Sequence, residues 1–530
     1  MNTRFLSAIC LALLTVTLCR HTATGQQPLS AQEIRGKQIY LQGTSPSGKD
    51  ILAYVGDSSL EVPGNVMACG NCHGIAGQGK VEGGINPSNV TWEALTKPYG
   101  VTHVNGRKHP AYTSRALELA ITRGVDPAGN KLLYAMPRYQ MSKEDLDDLV
   151  VYMKRLGTDV DPGVTENKIV IGTAYPTAGP IGELSQVVRD VIAAAFAEVN
   201  SQGGVYSRQL ELKSIAAADN TKLARADVEK LINDEHVFAL AGLMIAGVEK
   251  EIVPLVAERE VPLIGPLTLD PRIGSPLNRQ IFYVFDGAAG QSRALISFMA
   301  KKPDSLKPLT IAVVHSGGDL ASSVIEAVKD QSQKEKLTAP QAVEYVAGTF
   351  AAAEMVARLK QANVTGVFFM GAAADLLSLM KEAAIVNWFP QIFVQSGNAS
   401  QTLFDAPAGF DGKVFCTFPS APVDQTADGI KEFRLLGEKY KLPQKHLAAQ
   451  ISAYSSAKIL IEALKRVGKD LSRERLIQAL EGFYNYQSGL TPPITYGPNR
   501  RVGAAGAYVV TFDLKEKKLV PVSSWVAVNQ

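Results

Sequence analysis

Two rhythms of apolar residues divide this chain. Up to about residue 157 the apolar positions recur every three or four residues in separate short stretches, the spacing that places them on one helical face. In "LSAQEIRGKQIYLQG" (residues 29–43) Ile34, Ile39 and Tyr40 share such a face, and in "TSRALELAITRG" (113–124) Leu117, Ala120 and Ile121 do. "SKEDLDDLVVYMKRLG" (142–157) opens on a serine cap with acids in its first turn and repeats Leu146, Leu149, Val150 and Met153. Three amphipathic helices are expected in this part.

Past "TDVDPGVTENK" the pattern changes. Pro162 and Gly163 punctuate a polar stretch, and residues 158–167 are expected to be a linker. Continuous apolar runs then alternate with long amphipathic ones: "KIVIGTAYP", "GELSQVVRDVIAAAFAEVNSQGG", "RQLELKSIAA", "NTKLARADVEKLINDE", "VFALAGL". Strands alternating with helices of this length predict βαβ units and a parallel sheet covered on both faces. The rhythm restarts after "IFYVFDGAAGQS" with "LTIAVVHS", "VTGVFFMG" and "QIFVQSG", which predicts a second sheet. Near "KVFCTFPSAP" the chain is expected to return to the first half, because the long helical stretches that follow have no complete sheet of their own. Chain crossings are therefore placed near 287 and 418.

The N-terminus obeys neither rhythm. "MNTR" followed by "FLSAICLALLTVTL" reads as a secretory signal, with cleavage before Gln26, and the apolar run is short for a membrane span. Removing residues 1–25 takes Arg4 and Arg20 away and leaves 52 basic residues against 51 acidic ones. That balance gives no footprint for nucleic acid. No later stretch is long and apolar enough to cross a membrane, so a periplasmic location is expected.

Of five cysteines, Cys10 and Cys19 leave with the signal, and Cys69, Cys72 and Cys416 remain. Three cysteines do not make a disulfide scaffold. Cys69, Cys72 and His73 lie within five positions in "VMACGNCHGIAGQG", without the second ligand pair that structural zinc requires and without the βαβ context of a thioredoxin-like pair. C-x-x-C-H does suit covalent haem: two thiols add to the porphyrin vinyl groups and the adjacent imidazole reaches the iron. Met136 in "LLYAMPRYQMS" offers a thioether 63 residues after His73, ahead of the stiffening Pro137, and is preferred to Met141, His103 and His109 as sixth ligand. Cys416, in the alternating "KVFCTFP", reads as a small core hydrophobe.

Residues 30–157 resemble a class I c-type cytochrome. The "CHG" start, the "AMPRY" loop and the "DLVVYMKRLG" helix stand in family order. The resemblance implies an all-α domain with its terminal helices packed together, one haem c, and a proline carbonyl that accepts from the proximal imidazole, for which Pro87 in "GINPSNV" is the matching position. The insertion "TSPSGKDILAYVGDSSLEVPG" (44–64) departs from the family and is expected to form an extra loop over a haem edge.

Residues 168–526 resemble the type I periplasmic solute-binding proteins of the branched-chain amino-acid and amide branch, through "IVIGTAYPTAGPIGE", "EVNSQGGV", "VPLIGPLT", "TIAVVHS" and "GFDGKVF". The resemblance implies two α/β lobes joined by three crossovers and closing on a small ligand. Ligands of such sheets bind outside the carboxyl ends of the strands. Tyr175, Thr177, Met244, Leu267, Thr268, Asp319, Gln395 and Ser396 are therefore expected around the cleft. Amino-acid binders of the branch use a serine-rich loop for the ligand carboxylate and an acidic residue of the second lobe for its ammonium. Here those stretches read "GLMIAGVE" and "VQSGNAS", with neither serine in the first nor carboxylate in the second, so a neutral or weakly polar ligand is expected.

No nucleophile elbow or metal-binding histidine pair appears in the cleft segments, which favours a binding protein over an enzyme. The reading is an extracytoplasmic electron carrier with a solute-binding module, a redox partner protein and a small-molecule ligand. Its alternatives are a transport receptor serving an ABC permease with an accessory haem, and the electron-transfer subunit of a periplasmic oxidoreductase.

Overall fold

The computed structural model describes residues 29–528 apart from 57–58, 80–86, 104–105, 160, 180, 220–221, 275 and 303–309. The expected signal, residues 1–25, lies outside the described residues. The chain forms two compact units, divided between residues 160 and 161.

In the first unit the helix Ala31–Gln42 starts at a reciprocal cap. Ser30 Oγ accepts from the Glu33 amide at 3.2 Å, and the Glu33 carboxylate accepts from the Ser30 amide at 2.7 Å. Ser142 caps the helix Lys143–Met153 through the Asp145 amide, and Thr113 caps the helix Ser114–Arg123 through the Ala116 amide. The first and last helices pack at Gly36, where an ideal Cβ would lie 2.0 Å from the Asp148 carbonyl oxygen. Ile39, Tyr40, Leu117, Ala120, Ile121, Leu149, Val150, Tyr152 and Met153 form one core. Ile34, expected on the buried face, is instead 47% exposed. An Arg35–Asp148 ion pair with contacts at 2.6 and 3.0 Å closes the edge of the helix crossing.

The insertion is not a loop. Leu52–Val55 and Leu60–Pro63 make an antiparallel hairpin, and the first of these strands also pairs with Arg138–Gln140. A three-stranded sheet thus accompanies the helices. Period-2 burial explains it: Ala53 is buried while its neighbours Leu52 and Tyr54 are only partly so, and Ala53 faces the buried Tyr139 across the ladder.

Among the described residues the second unit holds two sheets. The first has the order Val502–Ala504, Ile281–Phe285, Leu263–Ile264, Ala239–Ala241, Lys168–Tyr175, Gln209–Ala216, and all its pairs are parallel. The second runs Gln341–Glu344, Ile311–His315, Gly366–Met370, Gln391–Gln395, Val414–Phe418 in parallel, followed by the antiparallel Gly506–Asp513 and Lys518–Pro521, with Val526–Ala527 also paired to Gly506–Asp513.

Three segments connect the lobes. Phe285 leaves the first sheet and leads into the helix Gly287–Ala300, whose Leu295, Phe298 and Met299 join the core of the second sheet. After Phe418 the chain returns, and Ile451, Leu460, Leu464 and Leu476 of later helices complete the first lobe's core. The third crossing is the step from Ala504 to Gly506. Gly506 has φ +142°, and an ideal Cβ there would stand 2.3 Å from the Val526 carbonyl oxygen, so the crossing admits no side chain.

Candidate functional site

Cys69, Cys72 and His73 occupy one short helix, Cys69–His73. Neither thiol is in a disulfide, and burial pushes the Cys69 thiol up to about 12. His73 Nδ1 donates to the Ser88 carbonyl oxygen at 2.9 Å, because a carbonyl can only accept. This assigns the proton to Nδ1 and leaves the Nε2 lone pair for a metal. Burial lowers the His73 pKa, which also favours the neutral ring. The expectation for Pro87 is corrected here: its neighbour Ser88 supplies the carbonyl. Pro87's own carbonyl turns towards Gly79, where an ideal Cβ would come within 2.3 Å of its oxygen.

Met136 packs, partly buried, against the same core as Cys69, Met67, Val90 and Trp92. Its loop is held from below by Arg138, whose guanidinium donates to the carbonyls of Met136, Leu133 (3.3 Å) and Leu132 (2.8 Å). Gly124 makes room for that guanidinium, since an ideal Cβ would lie 1.9 Å from Arg138 Nε. Tyr40 donates to the Gly74 carbonyl at 2.8 Å and Tyr139 to the Met67 carbonyl at 2.5 Å, fixing the backbone on either side of the C-x-x-C-H turn. The donor set of two unpaired thiols, one imidazole with its tautomer assigned and one thioether beside an apolar core fits haem c.

His103 and His109 are engaged elsewhere. Their Nε2 atoms lie 2.9 Å apart, Arg107 reaches His103 at 2.9 Å and Asp126 at 2.7 Å, and His109 Nδ1 faces the Pro110 carbonyl at 2.8 Å. Among the described residues no group of three or more His, Cys, Asp or Glu is arranged to hold a metal ion.

In the second unit the expected cleft residues fall into two sets. Met244 and Leu267 are joined by a parallel bridge between adjacent loops, and Thr268 follows on the same edge. Thr268 donates to the Glu249 carboxylate, and that carboxylate also accepts from the Gly247 amide at 2.9 Å. The Tyr175 hydroxyl accepts from Arg189 at 3.0 Å, with the guanidinium 5.1 Å from its ring centroid, and the Thr177 carbonyl accepts from Gln186 at 3.2 Å.

The second-lobe set is occupied internally. Gln395 donates to Ser292 at 2.8 Å, and Ser396 donates to Gln291 at 3.1 Å, so their polar atoms turn towards the crossing helix Gly287–Ala300 rather than standing free for a ligand. The Asp319 carboxylate lies 2.8 Å from Lys250 of the first lobe and 3.6 Å from Arg272, and these cations hold it below the usual carboxylate range. Asp319 is thus a bridge between the lobes. Sequence reasoning missed Glu249, Lys250, Gln291 and Ser292. An acid at a helix start and a serine in a helix carry no signal of such partners.

Comparison with known proteins agrees with this geometry. Residues 168–518 match the family model described as periplasmic binding protein, and residues 65–157 match that of cytochrome c. The chain belongs to the periplasmic binding protein family. It carries a cytochrome c domain ahead of the two-lobed α/β fold, and that domain implies haem c. The family implies an extracytoplasmic location, and among the described residues no helix is long and apolar enough to cross a membrane.

Leu/Ile/Val-binding protein homolog 2 of Brucella abortus is 23% identical over 58% of this chain and 81% of its own length. The chain spans 55% of homolog 3 from Brucella melitensis, at 22% identity over 39% of its own length. Among solved structures, a branched chain amino acid ABC transporter from Thermus thermophilus with bound valine matches with TM-score 0.55 at 16% identity, over 69% of this chain and 98% of the other. A fatty acid ABC transporter substrate-binding protein from Thermomonospora curvata matches with TM-score 0.52 at 19% identity, over 69% and 94%. Identities this low establish the fold alone.

Proposed function

We propose that this periplasmic binding protein is a one-haem electron carrier whose solute-binding unit receives a small neutral or weakly polar molecule and whose haem exchanges electrons with a redox partner protein. Cys69 and Cys72 would hold haem c through thioether bonds, and His73 Nε2 and Met136 Sδ would bind its iron. Bound there, the group would supply reversible one-electron transfer. The chain's own residues set its surroundings: Ser88 orients the imidazole, Arg138 holds the thioether loop, and the apolar core excludes water.

The observation that carries this reading is the assigned tautomer of His73 beside two unpaired thiols on one helical turn. Acid-acetone treatment of the native protein tests the attachment: the haem is expected to stay with the polypeptide, and extraction of the colour overturns it.

Ligand class rests on the cleft segments 243–249 and 394–400, which lack the serine-rich loop and the acid of amino-acid receptors. A thermal-shift screen of small alcohols, amides, aromatics and organic acids is expected to return neutral compounds. A second reading, a transport receptor working with an ABC permease and carrying an accessory haem, draws on the family match over 168–518. It requires that ligand leave the rate of haem reduction by a soluble donor unchanged, whereas an electron carrier with a coupled binding unit changes that rate.

A further inference from the structure

Gly247 and Thr268 stand on two adjacent loops that follow the carboxyl ends of neighbouring parallel strands, Ala239–Ala241 and Leu263–Ile264. The bridge between Met244 and Leu267 keeps those loops side by side. This edge is where open parallel sheets receive ligands. A backbone N–H and a hydroxyl converging there make a receptor for a carboxylate, which accepts strongly from both kinds of donor.

Both donors are already used. The Gly247 amide donates to Glu249 Oε2 at 2.9 Å and the Thr268 hydroxyl to Glu249 Oε1, so one carboxylate of the chain itself spans the pair. Thr268 Oγ also accepts from the Asp270 amide at 2.8 Å, which orients its proton towards Glu249. Glu249 is 7% exposed and is the first residue of the helix Glu249–Glu258, so its charge sits favourably at the helix start. Beside Gly247, at φ +83°, an ideal Cβ would meet no atom within 4 Å, so the space next to the donor is open.

We propose that Glu249 is a specificity-determining residue: an internal carboxylate that occupies the anion-receiving donors of the cleft and excludes ligands bearing a carboxylate. Two effects act together. An incoming carboxylate finds no free donor at Gly247 or Thr268, and it approaches a fixed like charge at close range. The oxygens of Glu249 keep lone pairs, so the ligand end placed here is one that donates, such as an alcohol or an amide N–H. This inference rests on the reading of the cleft as a small-molecule site and narrows its ligand class.

The test uses the full chain with two probes of one shape and no ammonium: isovalerate and isovaleramide, the second lacking the carboxylate. Binding is read by calorimetry and thermal shift, and folding by circular dichroism. Wild-type protein is expected to bind isovaleramide in preference to isovalerate. Glu249→Ala is expected to gain at least tenfold in affinity for isovalerate, with no gain for isovaleramide, and Thr268→Val added to it is expected to reverse the gain. Wild-type protein that prefers isovalerate to isovaleramide overturns the proposal whether or not the variant folds. A folded Glu249→Ala protein that binds no isovalerate overturns it as well. Should the neutral-compound screen fail while Glu249→Ala gains isovalerate, the ligand class under the proposed function falls and the role of Glu249 stands.

Discussion

His73 Nδ1 lies 2.9 Å from the carbonyl oxygen of Ser88, and this contact ties the C-x-x-C-H turn to a loop fifteen residues away in sequence. A metal-binding imidazole held in this way keeps its ring plane and gains basicity, so in the proposed haem site the backbone at Ser88 would help to tune the iron. Such a bond is made by the main chain, and side-chain substitution at Ser88 leaves the acceptor in place.

Arg138 holds the loop of Met136, the second iron ligand proposed above. Met136→Ala is expected to lower the reduction potential and to remove the far-red sulfur-to-iron band. In Arg138→Ala the three carbonyls of the Met136 loop lose their shared donor, so the same band should weaken while covalent haem is retained. Redox titration with far-red absorbance checks both; a full-strength band in Met136→Ala moves the sixth ligand to another residue.

Gly36 marks the closest approach of the first and last helices of the cytochrome unit. With the Asp148 carbonyl oxygen 2.0 Å and Tyr152 Cβ 2.6 Å from an ideal Cβ, Gly36→Ala must push the helices apart. The expected loss is about 1–3 kcal/mol, the range for an overpacked core. Thermal unfolding followed through the Soret band reads it, and an unchanged midpoint refutes the contact.

Asp286, at the first crossing between the lobes, titrates far from the ordinary value of 3.8. Burial raises it to about 7, against smaller opposing effects of Arg293 and Arg500, and its Oδ2 has no hydrogen-bond partner among the described residues. The folded state therefore binds a proton that the unfolded chain releases near pH 4. The stabilisation is complete below that pH and is lost as pH rises through about 7. Denaturant titrations of the wild type between pH 5 and 8 should show falling stability, and Asp286→Asn should flatten that slope. A slope equal in both proteins assigns the dependence to another group.

Lys250 and Asp319 join the two lobes at 2.8 Å through exposed side chains. Water and salt screen such pairs, so Asp319→Asn is expected to weaken ligand binding by no more than a few-fold. Raising ionic strength should reproduce the effect in the wild type and leave the variant unaffected. A loss of tenfold or more makes Asp319 a direct ligand contact.

Residue types with strong local meaning were legible in the sequence alone. Ser142 caps its helix because a short hydroxyl beside a helical run has one favourable partner, and Cys69, Cys72 and His73 state their chemistry by spacing within a single turn. The alternation of strands and helices after residue 168 follows equally from local periodicity, and family order supplied the two-lobed arrangement. Tertiary structure decided what depends on partners distant in the chain. Leu52–Val55 becomes a strand because Arg138–Gln140 offers it an edge, and the proximal carbonyl belongs to Ser88 because Gly79 admits the Pro87 carbonyl on its other side. Gln395, Ser396 and Asp319 stand where the strand ends put them, yet hydrogen bonds to Gln291 and Ser292 and an ion pair to Lys250 take up their polar groups. The physical reason is common to all of these: periodicity and capping arise within a few residues, whereas a polar group's partner is whichever donor or acceptor the packed chain brings within hydrogen-bonding reach.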